Sequence, residues 1–453
     1  LRGKIYADIL LENKETIIRR SSSTNRWLVV AVFFCFMLLH QADKLLIGPL
    51  TTSIMDTFKI TQTQMGAVFT GALIVGAVFY PLWGYLYDRF ARSKLLALAS
   101  FIWGATTWIS AVAPTYGSFV VTRASTGIDD SSYPGLYSLI ADYFGPKVRG
   151  RIYGILQLTQ PLGYLIGMLM ALLLSGVVGW RAVFYITGSL GIVLSVVIFF
   201  GVKEVPRGSG EPELEKFGEV IGQYKFSWKI ARDLFKKRSL LLLFVQGFFG
   251  VFPWNVITYW FFAYLEKERG YASDSILFTM VPAILVLAAG YPIGGMLGDY
   301  LFKKTPRGRL IVASFGVIMG AIFLYITMNI PIPNQTAFML MLILTALFIP
   351  FAAANVLATI YDITLPEVRG TANAVESFIE SGGAALAPLI AGIIADATSL
   401  HDAIIWICIT TWIACFFFFL ITAYLVPEDI RVLREQMRER AELEQSRQDA
   451  LKV

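Results

Sequence analysis

Eight side chains able to carry charge stand inside long apolar stretches of this sequence: His40, Asp43, Lys44, Arg123, Asp129, Asp130, Glu376 and Glu380. Each costs at least about 2.5–3.5 kcal/mol at the centre of a membrane helix, so each must be paired, reach water or perform work. The adjacent carboxylates Asp129 and Asp130 cannot both ionise cheaply there, because like charge and lost hydration oppose it together. A carboxyl group so placed can take a proton on one side of a barrier and release it on the other. Asp130 is the first candidate for that role and Asp43 the second, with Asp129 beside them. Glu376 and Glu380 are spaced i, i+4 and share a helix face. Two readings of that face stay open: a further proton site, or contact with a cationic group such as choline or an amine. His40 lies one helical turn from Lys44 and belongs to the residue type that titrates near neutral pH; it is read as a polar contact. With Lys44, Arg123, Tyr133, Trp254, Asn255 and Asn355 it makes up the expected substrate-contacting set.

The elements that must hold these residues follow from composition. Of 453 residues, 56% are hydrophobic and only 15% charged, with a mean hydropathy of +0.63. A water-soluble core cannot absorb that excess, since an ordinary globular protein is about 45–50% apolar and about 25% charged. The apolar residues fall into twelve blocks, near 27–50, 64–87, 93–113, 117–141, 151–176, 181–201, 240–264, 276–297, 309–330, 336–361, 371–396 and 402–426. Blocks of about 20 residues match the thickness of a bilayer, and backbone polar groups in lipid must be satisfied within each segment. The expectation is an all-α membrane protein with twelve transmembrane helices in two pseudo-symmetric six-helix bundles. Its segments are a cytoplasmic N-terminal stretch (1–26), a first bundle (27–202), a linker (203–239), a second bundle (240–426) and a cytoplasmic C-terminal amphipathic helix (427–453). The linker is expected to carry a surface helix near 219–236. The stretch after Pro253 reads as unwound. The first apolar block is too long for a signal sequence and lacks a small-residue cleavage site.

Depth arithmetic refines the picture. At about 1.5 Å per residue, Asp43 lies roughly 24 Å from the inner end of its helix and Arg123 roughly 9 Å from the outer end of a helix running the other way. Both therefore fall at one level, and they are expected to pair; Asp129 and Asp130 come close to the midplane. Orientation follows from the basic residues. All but six of the 38 Lys and Arg residues fall on the side of the termini; Lys59, Arg181, Lys267 and Arg269 lie opposite, and Lys44 and Arg123 lie within blocks. That asymmetry places both termini in the cytoplasm and accounts for the net charge of +6 without a nucleic-acid partner.

The halves echo each other. Gly84-Tyr-Leu-Tyr-Asp88-Arg89-Phe-Ala-Arg92-Ser-Lys94 follows the second block, and Gly295-Met-Leu-Gly-Asp299-Tyr-Leu-Phe-Lys303-Lys304 follows the eighth. Asp142-Tyr-Phe-Gly-Pro146-Lys-Val-Arg149-Gly150 matches Asp362-Ile-Thr-Leu-Pro366-Glu-Val-Arg369-Gly370 after blocks four and ten. A parallel repeat of this kind is how many transporters build a site from two halves. Gly163-x-x-x-Gly167 and Gly290-x-x-x-Gly294 permit close helix packing. Three cysteines, all in apolar blocks, and two histidines leave little material for disulfides, metal sites or redox chemistry. No nucleophile–base constellation is present, so an enzyme is not expected.

With these motifs the chain resembles the major facilitator superfamily, whose signature is the G-x-L-x-D-R-x-x-R-x-K loop and its echo. Within it the chain resembles the Spinster group of lysophospholipid and sphingolipid transporters. The residues that carry the likeness are Arg123-x-x-x-Gly127-Ile-Asp129-Asp130-Ser-Ser-Tyr133, Asp43-Lys44, Gly179-Trp180-Arg181-Ala-Val-Phe184 and Lys203-Glu204-Val-Pro206-Arg207-Gly208. It departs where that group has Asp-Arg for Asp43-Lys44, Gly-Glu for Asp129-Asp130 and an Asp near Ala384. The resemblance implies the major facilitator fold and alternating access driven by a proton gradient, with no cofactor. It implies a lysophospholipid-like or other amphiphilic substrate, contact with membrane lipids and a monomeric chain. Asp88, Arg89, Arg92, Asp142, Arg149, Asp299 and Arg369 become gating residues on the cytoplasmic side. The rival readings are a proton-coupled organic-anion symporter and a multidrug/proton antiporter.

Overall fold

The computed structural model describes residues 26–130, 132–144, 152, 155–205, 235–364 and 369–450; Arg149 and, of the expected linker helix near 219–236, residues 219–234 lie outside them. The described residues are almost entirely helical. The helices are α1 (Arg26–Leu45), α2 (Ile47–Phe58), α3 (Gln62–Arg89), α4 (Arg92–Val112), α5 (Tyr116–Ser125), α6 (Gly127–Asp130), α7 (Tyr133–Tyr143), α8 (Thr159–Val178) and α9 (Trp180–Gly201). They continue as α10 (Arg238–Lys267), α11 (Ser273–Phe302), α12 (Gly308–Met328), α13 (Gln335–Phe348), α14 (Phe351–Asp362), α15 (Arg369–Ala397) and α16 (Leu400–Ala450).

Among the described residues, eleven helical spans are long and apolar enough to cross a bilayer. The twelfth crossing is α5–α7, which is broken twice and so contains no single long helix. The first crossing also has a joint: a turn at Leu46 separates α1 from α2, so helical structure continues to Phe58, eight residues past the apolar block. α10 is continuous through Pro253, which corrects the expectation of an unwound stretch there. A helix in an apolar bundle tolerates the one hydrogen bond a proline removes.

The C-terminal segment also differs from expectation. α16 does not end near the membrane boundary; it runs unbroken for 51 residues through Pro427. At about 1.5 Å per residue this is roughly twice the length a bilayer requires. Its membrane-distal part begins with Ile430 and Leu433 buried, and Asp429 accepts a hydrogen bond from Ser239 at the start of α10. Arg431 pairs with Glu428 and Glu435 one turn away on either side, the spacing at which charged neighbours support a helix.

The chain forms two compact units, one from 1–46 with 78–220 and the other from 47–77 with 221–453. In the first, α8 lies on α1, where Gly163 and Gly167 let it approach the backbone of Leu38 and Ala42; an added Cβ at Gly163 would sit 3.0 Å from the Leu38 carbonyl oxygen. The core around them includes Phe33, Phe36, Trp103, Leu136 and Leu139. In the second, α11 meets the α13–α14 crossing, and a Cβ on Gly294 would lie 2.7 Å from the Phe351 Cα. Both small-residue motifs therefore serve packing. Also in the second unit, α2 packs on α10, and the start of α3 is capped by Asp396 of α15, whose carboxylate accepts the Gln62 and Thr63 amide N–H groups at 2.9 and 2.7 Å.

Candidate functional site

Local sequence breaks the fourth crossing where its carboxylates stand. Pro134 has no N–H to give the Asp130 carbonyl, so α6 stops at Asp130 and α7 restarts at Tyr133. The Ser132 amide N–H turns back to the Asp129 carbonyl at 2.9 Å, and the indole Nε1 of Trp83 takes the Ile128 carbonyl at 2.5 Å. The Ile128 and Asp129 carbonyls at the break thus keep partners, and the two carboxylates project from a one-turn helix.

Asp129 is fully buried and meets His40 of α1, with Nε2 to Oδ2 at 2.7 Å. The other ring nitrogen, Nδ1, lies 2.5 Å from the Tyr133 hydroxyl, which also accepts from Gln41 Nε2 at 3.3 Å. Asp130 turns to Lys44, one helical turn beyond His40, at 2.8 Å, and its other oxygen lies 3.8 Å from His40 Nε2. Asp129 has no exposed side-chain surface and Asp130 has 15%, so the inner pair is sealed and the outer pair is partly wet. Five residues read separately from the sequence form one network within the first unit. His40 is its centre, where the sequence suggested a single polar contact.

The expected Asp43–Arg123 pair is not formed. Asp43 is buried and held by three neutral donors: Thr187 Oγ1 on Oδ1 at 2.5 Å, and Trp103 Nε1 and Thr107 Oγ1 on Oδ2 at 3.0 Å each. These satisfy the carboxylate without a cation. Equal depth fixed the level of the two residues but not the rotation of their helices, and Asp43 faces α4 and α9. Arg123 is 4% exposed; its Nε and Nη1 atoms are buried with no hydrogen-bond acceptor among the described residues, and its guanidinium sits 5.1 Å over the Phe184 ring. A buried cation with no anion beside it among the described residues is costly to the fold.

In the second unit, Glu376 and Glu380 do share a face of α15. A Cβ on Gly247 of α10 would lie 3.2 Å from the Glu380 Cγ and 3.8 Å from that of Glu376. Glu376 is buried, Glu380 half-buried, and neither is ion-paired among the described residues. The amides expected to contact substrate are committed to backbone. Asn255 donates to the Val251 carbonyl at 2.8 Å; Asn355 donates to Gly294 at 3.0 Å and Phe351 at 2.8 Å, tying α14 to α11. Asn355 is therefore a packing residue here, because both donors of its amide are spent. Trp254 is half-buried.

Three of the expected gating residues, Arg92, Asp142 and Asp299, stand in two matching ion clusters. Arg92, 2% exposed at the start of α4, reaches Asp142 at 2.5 Å, Glu204 at 2.9 Å, Ser138 at 3.0 Å and the Val205 carbonyl at 2.9 Å. In the second unit Arg309, at the start of α12, bonds Asp299 at 2.8 Å and also Asp362. Asp142 and Asp362 are the repeat-related positions, so each unit joins the same two helix ends by an arginine. The repeated loops held the carboxylates, but the sequence reading missed Arg309 and gave Glu204 no gating role; Arg309 is detectable only by extending the repeat past Lys304. The side chains of Asp88, Arg89 and Arg369 lie outside the description. Replacing Arg92 by Met should cost about 3 kcal/mol of stability, since a buried pair that loses one partner strands the other. Denaturant unfolding of the purified protein checks this, and a wild-type midpoint would refute it.

Twelve apolar crossings with a charged network buried in the first unit define an integral, multi-pass membrane protein. Residues 32–334 and 292–448 match the profile of the Major Facilitator Superfamily, and the chain belongs to that family of membrane transporters. It is 27% identical over 401 residues to Protein spinster of Drosophila melanogaster, covering 84% of this chain and 64% of that relative. The chain thus spans less than two thirds of that protein's length. It is 23% identical over 379 residues to the hexuronate transporter of Bacillus subtilis (strain 168), covering 82% of this chain and 88% of the relative. A crystal structure of a bacterial homolog to human lysosomal transporter Spinster, inward-facing and unoccupied, shares the fold with a TM-score of 0.73 at 19% identity. The match covers 91% of this chain and 98% of that one.

Proposed function

We propose that this protein is a proton-coupled secondary transporter working by alternating access on an amphiphile with an anionic head group, of the lysophospholipid type. The observation that carries the reading is Arg123: a buried guanidinium with two nitrogens unclaimed by any acceptor among the described residues. Guanidinium is the side chain best matched to carboxylate and phosphate oxygens. The His40–Asp129 and Lys44–Asp130 pairs in the same unit supply titratable groups for coupling. The likeness to the Spinster group favours the amphiphile, and the distribution of basic residues supports a cytoplasmic side for both termini.

A second reading, symport of a small organic anion, is favoured by the similarity to a hexuronate transporter, and Arg123 serves it equally well. Proteoliposomes separate the two. Uptake of fluorescent lysophosphatidylglycerol, glucuronate and a lipophilic cationic dye is measured with and without a pH gradient. The first reading expects gradient-driven movement of the lysolipid that a protonophore abolishes. Movement of glucuronate alone supports the second reading, and movement of the dye alone removes both.

A further inference from the structure

His40 is the only side chain in the first unit's network with two ring nitrogens engaged on two different chemical groups. Nε2 faces a carboxylate sealed from solvent, and Nδ1 faces the hydroxyl of half-buried Tyr133. The imidazole is fixed in place: Phe36 stacks on it at 5.8 Å, and Trp103 and Tyr133 stand edge-on at 5.3 and 5.4 Å. The charged and titratable groups around it are Asp129, Asp130 and Tyr133 from the fourth crossing and Lys44 and Asp43 from its own helix. Asp43 is reached through Trp103, which donates its N–H to that carboxylate. Asp43 is already saturated with neutral donors. Asp129 is not: its Oδ1 is buried with no partner among the described residues. With a neutral imidazole, Asp129, Asp130 and Lys44 sum to one negative charge, and one added proton neutralises the group.

We propose that His40 is the proton acceptor of this transporter, loaded through Tyr133 and held by Asp129, with Asp130 and Lys44 responding to its charge. The proposal rests on the proton-coupled reading above and assigns its carrier. In the neutral ring, the Nε2–H donates to Asp129 and the Nδ1 lone pair accepts the Tyr133 O–H. On loading, the Tyr133 hydroxyl proton passes to Nδ1 while a hydronium ion from the aqueous phase gives a proton to the Tyr133 oxygen and leaves as water. Two O–H bonds break, one on Tyr133 and one on hydronium; one O–H bond on Tyr133 and one N–H bond on His40 form, and the imidazolium carries the charge that hydronium brought. Tyr133 then accepts from Nδ1–H and must turn its own O–H elsewhere. Asp130 now stands between two cations, Lys44 at 2.8 Å and the imidazolium nitrogen at 3.8 Å, so its hold on Lys44 relaxes. The protonation state of a sealed ring thereby reaches a lysine whose side chain is 32% exposed.

The test needs no knowledge of the substrate, because the chain has two histidines. His401→Gln leaves one imidazole, and 15N-histidine spectra of that variant in lipid nanodiscs report His40 alone. The expected result is an Nε2–H tautomer at alkaline pH that converts reversibly to the doubly protonated ring on acidification. An Nδ1–H tautomer, or a ring that never changes state between about pH 5 and 9, overturns the proposal. Tyr133→Phe keeps the aromatic ring and should leave the tautomer intact while slowing proton exchange at Nδ1; unchanged exchange argues against loading through Tyr133. In proteoliposomes, His40→Gln should lose the pH dependence of fluorescent lysophosphatidylglycerol uptake, and retention of the wild-type profile overturns the carrier role. Absence of uptake by wild-type protein would count against the substrate reading and would leave the spectra unaffected.

Discussion

Asp129→Asn is expected to abolish accumulation driven by a pH gradient while leaving exchange of substrate across the membrane in place. Asparagine matches the shape of aspartate and can still accept from His40 Nε2 through its side-chain oxygen, so the fourth crossing keeps its contact with α1. It cannot carry negative charge, so the group around His40 no longer gains neutrality by binding a proton. Exchange needs only that the loaded protein reorient in both directions, and a fixed neutral network permits it. Asp130→Asn removes the same charge but from 3.8 Å rather than 2.7 Å, and leaves the direct hydrogen bond of Asp129 to the ring, so it should act more weakly on the proton. Equal effects of the two substitutions on gradient-driven uptake would show that the sealed and the wet carboxylate are not distinct in role. Counterflow and gradient-driven uptake measured on the same vesicles separate these outcomes.

Arg123→Gln should remove recognition of the anionic group and little else. Among the described residues the guanidinium holds no carboxylate, so none of them is stranded by its loss, and Phe184 still covers the site. A hydrogen bond to a charged group contributes about 1.5–3 kcal/mol, which corresponds to roughly a ten- to hundred-fold rise in the apparent KM. Thermal stability of the empty protein should hold or rise, because a buried unpaired charge is itself costly. This contrast with Arg92, where loss of the arginine strands two carboxylates, is visible in stability measurements alone. A marked loss of stability in Arg123→Gln would show that the residue is structural.

Much of the architecture is legible in the sequence because bilayers impose it. Apolar blocks of fixed length, basic residues collected on one side and two echoed loops follow from the thickness of hydrocarbon and from gene-level repetition. The broken fourth crossing was legible in part: Pro134 stands inside the block, yet apolarity alone does not register a missing N–H. The length of α16 was obscured by Pro427, which reads as a stop although the helix tolerates it. Pairings were the least legible. Residues 129 and 130 differ by about 100° around a helix, which sends one to His40 and the other to Lys44. Depth arithmetic carries no angle, so it matched Arg123 with Asp43 and overlooked the threonines and tryptophan that satisfy Asp43. Nothing in the spacing of Thr107 or Thr187 marks them, because hydroxyls in membrane helices commonly bond their own backbone.

The central claim is that the buried network of the first unit moves a proton with the substrate. Proton flux across proteoliposome membranes, reported by an entrapped pH-sensitive dye as fluorescent lysophosphatidylglycerol or glucuronate is added, tests it most directly. Wild-type protein should carry protons only when a transported substrate is present, and the Asp129→Asn variant should exchange that substrate with no proton flux. Substrate accumulation by wild type with no proton movement, or equal proton flux in the variant, contradicts the account.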